Sequence, residues 1–313
     1  MKRFKIFMLG ISVLILLAIV MYANPVVLVN LIIKSNYSLI VIGFGVAFLT
    51  MLLGALKWKV LLDGIGFLEV FPVQMLGYTI SNFTPGKAGE PAKAVLLKIS
   101  KGIPISSSLT SIIWERMSDV FSLLILSAIA ISNLSVTSNF FFAGVASMVV
   151  FGGLIAVSFL VLYSKRFGMK IFRLVKKLPL LKRLPENFMD LFYKVRIKKV
   201  RIVKCFTIAL ITWFLEGFIL YFALSAFGVS LNPLVLAGIV ALSVVIGIAS
   251  SLPGGLGTTE VVMTFLLGLN GVESSIAIAA TIMFRFMTIW FVNLLGGVSF
   301  LYLSKKFDIK NIF

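Results

Sequence analysis

Three observations predict that this chain is an all-α polytopic membrane protein with about six full spans and two re-entrant helical hairpins. Sixty per cent of its 313 residues are hydrophobic and only 13% are charged, whereas about a quarter of a soluble domain is charged. The mean hydropathy is +1.11. The apolar residues come in runs of about 20, the length that crosses the hydrocarbon core of a bilayer. We therefore expect a single membrane domain, residues 1–313.

The net charge of +18 follows the positive-inside pattern of membrane proteins. Fourteen of the 29 Lys and Arg residues lie between Lys165 and Lys204, with only two acidic residues among them. This bias predicts a cell-membrane protein with a basic cytoplasmic loop, 164–204, and with both termini in the cytoplasm. The loop is expected to attract anionic lipid headgroups, and residues 164–178 have the spacing of an interfacial amphipathic helix. Nucleic acid is not an expected partner.

The order of apolar segments predicts the topology. The predicted full spans are about 6–23 (or on to Ile33), 38–56, 107–132, 140–163, 206–227 and 275–303. Two further apolar stretches, 70–100 and 233–269, are broken near the middle by Pro and Gly, and each half is too short to span. The connector 57–69, with Lys57 and Lys59, is assigned to the cytoplasm. The charge bias is consistent only if each broken stretch enters and leaves on one side, as a re-entrant hairpin.

The two breaks also predict an inverted internal repeat, with half one at about 1–132 and half two at about 140–303. Each break reads Pro-Gly-x-x-Gly followed by a glutamate, Glu90 or Glu260. An intramembrane arginine follows at nearly equal distance: Arg116 is 26 residues after Glu90, and Arg285 is 25 after Glu260. Broken helices at corresponding positions of inverted halves are typical of a transporter site near the bilayer midplane.

Ionisable residues inside apolar segments are the candidate site, because such groups are costly in a membrane unless they are paired or hydrated. Arginine forks and helix N-termini suit a phosphate, and glycine allows close backbone approach. The predicted substrate-binding residues are Arg116, Arg285, Lys87, Gly86, Gly89, Gly254, Gly255 and Gly257. The predicted charge-balancing or coupling residues are Glu90, Glu115, Asp119, Glu216 and Glu260.

Structural interpretations of the same residues stay open at this stage. Glu90 and Glu260 also fit favourable acidic helix starts. The group Glu115, Arg116 and Asp119 also fits a structural ion pair that joins the two halves.

Two further residues have structural alternatives. Glu216 also fits a buried carboxyl whose partners satisfy it, and Lys87 fits a side chain that reaches the cytoplasmic interface.

The residue inventory argues against an enzyme. The chain has no histidine and a single cysteine, Cys205, which excludes His-based metal sites and Ser-His or Cys-His nucleophiles. There is no Walker sequence, so we expect no nucleotide-driven step. We expect no metal and no cofactor.

Three motifs in order resemble one family: 82–90 (Asn-Phe-Thr-Pro-Gly-Lys-Ala-Gly-Glu), Glu115-Arg116-x-x-Asp119, and 252–260 (Leu-Pro-Gly-Gly-Leu-Gly-x-x-Glu). The chain is similar over nearly its whole length to the transmembrane region of lysylphosphatidylglycerol synthases, the flippase-like half of those bifunctional enzymes, and to its stand-alone relatives. The resemblance implies a domain that translocates lipid. The soluble aminoacyl-transferase domain of the bifunctional members is expected to be absent.

These observations favour a flippase-like protein that moves a phosphate-bearing lipid, either a phospholipid or a polyprenyl-phosphate lipid, between leaflets. One alternative is an intramembrane lipid-modifying enzyme with Glu90 and Glu260 as acid and base. A second alternative is a non-transporting scaffold for a partner synthase or glycosyltransferase.

Overall fold

The computed structural model describes residues 25–87, 89–133, 164–175 and 197–307, together with residue 21 and a few single residues between 149 and 195. Within this part of the chain every regular element is a helix, which confirms the predicted all-α class. The predicted spans 6–23 and 140–163 lie almost entirely outside the described residues.

The helices are numbered in chain order. They are α1 (Pro25–Ile33), α2 (Tyr37–Leu61), α3 (Phe67–Asn82), α4 (Ala92–Lys101), α5 (Ile105–Asn133), α6 (Lys165–Val175), α7 (Lys199–Ser225), α8 (Pro233–Ala249), α9 (Thr258–Leu269), α10 (Ser274–Arg285) and α11 (Phe291–Lys306).

Three helical segments of the described part are long and apolar enough to cross a membrane: α2, α7 and the continuous segment from α10 to α11. The 29-residue helix α5 is equally long but has charged residues near its middle. Two predicted boundaries were wrong, since α2 runs on to Leu61 and α7 begins at Lys199. The assignment of Lys57 to a connector was therefore also wrong. This lysine is buried in α2, where acidic side chains of α5 pair with its charge.

The two broken stretches fold alike. Helices α3 and α4 flank a short 3₁₀ turn that begins at Pro85, and α8 and α9 flank one that begins at Pro253. The second turn residue has a positive φ in both, 57° at Gly86 and 60° at Gly254, the region that glycine adopts most readily. The next residue is also left-handed, at Lys87 and at the corresponding glycine of the second turn.

The helices pack in a reciprocal pattern around these turns. Helix α3, which begins the first broken stretch, packs on α11. Helix α8, which begins the second broken stretch, packs on α5. Helices α2 and α7 pack closely together, and the two 3₁₀ turns contact each other. A side-chain carbon on Gly254 would lie 3.1 Å from the carbonyl oxygen of Asn82. This arrangement places both breaks side by side, next to the middle of α5.

Gly217 allows the close contact between α7 and α8, and we expect its replacement by alanine to destabilise the fold. An added Cβ would lie 2.6 Å from the backbone of Ala237, a contact that only a helix shift can relieve. Overpacking of this kind costs about 1–3 kcal/mol. The measurement is the apparent melting temperature in detergent. The control is Gly45→Ala in α2, where the Cβ meets open space. An equal melting temperature for the two variants would contradict the prediction.

Candidate functional site

The first break leads into a buried network of charged side chains centred on Arg116 of α5. Its guanidinium lies 2.7 Å from a carboxylate oxygen of Glu90, 2.7 Å from one of Asp119 and 3.0 Å from one of Glu115. All three acids are buried, while the arginine side chain is 29% exposed. The structure therefore brings together four of the predicted residues, with the arginine held between acids and still accessible.

Two buried lysines complete this network, and the sequence interpretation missed both. Lys93 of α4 is fully buried, and its ammonium lies 2.6 Å from Glu115 and 3.4 Å from Glu90. It also donates a 3.1 Å hydrogen bond to Gln74 and lies over the ring of Trp58. Its spacing of three residues from Glu90 in an apolar stretch could have indicated the pair.

The second buried lysine, Lys57, forms an ion pair with Asp119. Asp119 also accepts a 3.0 Å hydrogen bond from the indole nitrogen of Trp213 in α7. This contact links the network of half one to a helix of half two. The apolar run around Lys57 continues to Leu62. This continuation could have indicated that the lysine lies within a span and not in a connector.

The second break carries a simpler version of the same arrangement. Arg285 lies 2.7 Å from Glu260 and donates a 2.9 Å hydrogen bond to the carbonyl oxygen of Gly254. The other oxygen of Glu260 accepts a 2.7 Å hydrogen bond from the backbone N–H of Gly257. Glu260 is thus both a cap of α9 and the ion-pair partner of Arg285. The sequence allowed Glu260 to be an acidic helix start or a charge-balancing residue, and the geometry fits both.

A π-helical segment directly follows Arg285. It covers Phe286–Trp290 and joins α10 to α11. Single π turns within α-helices occur frequently at functional sites, because the extra residue shifts the face that the following side chains present. Here Thr288 and Ile289, both inside the segment, face the same cavity as Arg285.

A cavity of about 150 Å³ lies between the two breaks and α7. This volume matches an engineered cavity that holds a benzene molecule, so it accommodates a small polar group and not the tails of a lipid. Its polar and charged lining residues are Thr50, Lys57, Tyr78, Asn82, Lys87, Arg116, Asp119, Thr212, Trp213, Glu216, Arg285 and Thr288. Four of these carry a positive charge, and they come from four different segments of the chain.

Lys87 and Glu216 differ from the other charged lining residues. In the part of the chain that the structure describes, neither forms an ion pair. Lys87 is half-buried in the first break and faces the cavity, so its charge is directed inward and not to the interface. Among the described residues, the ammonium of Lys87 therefore has no acidic side chain within ion-pair distance.

The predicted binding glycines lie in the two turns and do not line the cavity. The amide of Gly89 donates to the hydroxyl of Thr84, and the amide of Gly257 donates to Glu260.

Sequence reasoning did not select Asn293 of α11, which accepts a 3.1 Å hydrogen bond from the cavity residue Asn82. An uncharged amide in an apolar helix carries little signal before its partner is known.

Comparison with known proteins shows to which family the chain belongs. The chain matches the family described as the lysylphosphatidylglycerol synthase TM region over residues 6–296. A UPF0104 membrane protein of Methanothermobacter thermautotrophicus is 28% identical, in an alignment that covers 98% of this chain and 96% of the relative. Another, from Pyrococcus horikoshii, is 23% identical and covers 95% and 96%. A third, from Methanocaldococcus jannaschii, is 20% identical and covers 97% and 96%. The resemblance seen in the motifs is confirmed, and this chain is a membrane protein that belongs to the lysylphosphatidylglycerol synthase transmembrane-region family.

Proposed function

We propose that this protein translocates a phosphate-bearing lipid between the leaflets of the cell membrane. The observation that carries the proposal is the cavity between the two breaks, which presents Lys57, Lys87, Arg116 and Arg285. Arginine and lysine are the side chains that bind phosphate best. Lys87, which has no ion pair in the described part of the chain, can bind an anion without giving up an acidic partner.

We propose in addition that the two halves form an inverted repeat with re-entrant hairpins. The reciprocal packing supports this, because exchanging the halves converts the pair α3 and α11 into the pair α8 and α5. The matching ion pairs, Glu90 with Arg116 and Glu260 with Arg285, support it as well. In such transporters the substrate site lies where the repeats meet, near the midplane.

Each arginine is held by acidic side chains that a phosphate can replace as partners. The lipid phosphate would exchange with Glu90 at Arg116 and with Glu260 at Arg285, so that the guanidinium groups remain paired throughout. After the exchange Glu90 keeps Lys93 at 3.4 Å, and Glu260 keeps the hydrogen bond from the backbone N–H of Gly257. The headgroup occupies the cavity during transfer, and the acyl or polyprenyl chains stay in the bilayer.

The ion pairs favour transport over lipid chemistry as the function. The enzyme hypothesis requires one of Glu90 and Glu260 to act as a protonated general acid. Each of these glutamates is held by a guanidinium at 2.7 Å, so neither is free to reach a lipid headgroup as a general acid or base. We therefore propose a function without covalent modification of the lipid.

The proposed orientation places both termini and the basic loop in the cytoplasm. Helix α6, within this loop, supports it. Lys165, Arg166 and Lys170 are exposed, whereas Gly168 is buried, as expected for a helix that lies in the interface and faces anionic headgroups.

The proposal is tested in phosphatidylcholine vesicles that contain the purified protein and a trace of fluorescent phosphatidylglycerol. Dithionite bleaches only the outer leaflet, so the rate of the slow phase reports movement between leaflets. We expect transfer by the wild type and none by Arg285→Ala. The double variant Arg285→Gln with Glu260→Gln removes the pair as a unit, which limits misfolding, and it should also be inactive.

The matched control for this experiment is Arg201→Ala. Arg201 lies near the start of α7, outside the cavity, and forms an ion pair with the exposed Asp63. Normal transfer by the double variant would contradict the assigned site. If wild type moves neither phosphatidylglycerol nor a fluorescent polyprenyl phosphate, but a synthase or glycosyltransferase co-purifies with it, the scaffold hypothesis replaces the transport proposal.

A further inference from the structure

The charged side chains in and around the cavity are equal in number for the two signs. The described core contains five basic groups, Lys57, Lys87, Lys93, Arg116 and Arg285, and five acidic groups, Glu90, Glu115, Asp119, Glu216 and Glu260. With every group ionised, the site is neutral before any substrate arrives. A phosphodiester adds one negative charge, and an uncompensated charge in the membrane interior is unfavourable. The bound state therefore requires a compensating positive charge.

Glu216 is the acidic group best placed to provide that compensation. Glu90, Glu115, Asp119 and Glu260 each lie within ion-pair distance of a buried cation. Within the described part of the chain, Glu216 has no ion-pair partner, although its side chain lines the cavity. It can therefore gain a proton without breaking an ion pair.

Helices α2, α5, α8 and α10 pack against α7 around Glu216. The charged and titratable groups that these helices and the first broken stretch present to the cavity are Lys57, Tyr78, Lys87, Arg116, Asp119 and Arg285. Helix α8 presents only Val240 and Val244. The cavity side of Glu216 is thus the side on which a phosphate would be bound.

We propose that Glu216 binds one proton for each lipid phosphate that enters the cavity, so that transport is coupled to protons. This inference rests on the proposed function. On entry of the phosphate, a carboxylate oxygen of Glu216 forms an O–H bond with a proton from water, and the charge of the site returns to zero. When the phosphate leaves, that O–H bond breaks and the proton leaves on the same side. One lipid monoanion and one proton cross together, without net charge movement.

The first test measures proton uptake on binding in detergent, and it does not require transport. Dioctanoyl phosphatidylglycerol is added to the protein in weak buffer with a pH-indicator dye, and inorganic phosphate is added in a parallel arm. The wild type should take up about one proton per lipid bound, whereas Glu216→Gln should bind the lipid without proton uptake. Binding of inorganic phosphate with the same uptake would identify free phosphate as a ligand of the site. Lipid binding without proton uptake by the wild type would overturn the proposal.

The second test uses the fluorescent phosphatidylglycerol vesicles with an imposed pH difference. Because one proton moves per lipid, a difference of about one pH unit should shift the steady-state leaflet ratio about tenfold in the wild type. An imposed membrane potential should have no effect. Glu216→Gln should equilibrate the lipid without responding to pH. The matched control is Glu273→Gln, because Glu273 is exposed and outside the cavity, and it should behave as wild type does.

The outcomes separate the two proposals. Lipid movement by the wild type that ignores the pH difference would overturn proton coupling and leave the transport function standing. Proton uptake on binding without any movement between leaflets would overturn the transport function, and with it proton-coupled transport, and would leave Glu216 only as a group that binds a proton when lipid binds.

Discussion

Replacing Lys93 with methionine should lower the free energy of unfolding by about 3 kcal/mol or more, because it leaves a buried negative charge in excess. Lys93 is fully buried, and its ammonium contacts Glu115 at 2.6 Å and Glu90 at 3.4 Å. Methionine fills a similar volume, so packing changes little and the loss reflects charge. The measurement is the SDS concentration at which half of the detergent-solubilised protein unfolds, followed by circular dichroism.

A second variant distinguishes charge from packing at this position. Lys93→Met combined with Glu115→Gln restores the balance of charges, and it should be more stable than Lys93→Met alone. Residues in one ion-pair network commonly show coupling energies of about 0.5–3 kcal/mol. A double variant with the summed loss of the two single variants would mean that Lys93 contributes packing and not charge.

Replacing Lys87 with glycine should nearly abolish lipid transfer while leaving the protein at least as stable. Lys87 has a φ of 57°, a conformation that costs a side chain energy and that glycine adopts freely. Its ammonium is the cavity cation without an ion pair in the described part of the chain. Charge-assisted hydrogen bonds contribute about 1.5–3 kcal/mol, so we expect roughly ten- to hundredfold weaker binding of dioctanoyl phosphatidylglycerol.

Lys87→Arg is the control for this prediction, since it keeps the positive charge at the same backbone position and should retain most of the transfer. Melting temperature and lipid binding are measured on the same preparations. If Lys87→Gly lowers the melting temperature but binds lipid as wild type does, then Lys87 stabilises the turn and is not a ligand.

The two breaks have similar backbone geometry, but more charged side chains surround the first break than the second. Around Arg116, two lysines and two further acids reinforce the pair with Glu90, whereas Arg285 has one acid and one backbone carbonyl. Lys87 in the first turn occupies the position of a glycine in the second. Among the described residues, the cavity cation without an ion pair is therefore contributed by the first break and not by the second.

The sequence by itself determined the membrane class, the positions of both breaks and the nearly equal spacing from each glutamate to the arginine that follows it. Hydropathy and glycine-proline breaks are local properties, since a bilayer fixes the length of an apolar run and left-handed backbone favours glycine. The spacings from Glu90 to Arg116 and from Glu260 to Arg285 are similar because each break is followed by a helix of nearly the same length, and the structure shows that each glutamate forms an ion pair with that arginine.

Only the tertiary structure decided which charges share one site. Lys57 lies in α2 and Lys93 in α4, and both meet the acids of α5 only after these helices pack. The same packing brings Trp213 to Asp119, and it leaves Lys87 and Glu216 at the cavity without ion pairs in the described part of the chain. A lysine near the end of an apolar run is compatible with either an interface or a buried pair. A buried lysine requires an acidic partner, and here that partner comes from a distant segment of the chain. No local sequence pattern therefore distinguishes a lysine at the interface from a lysine in a buried ion pair.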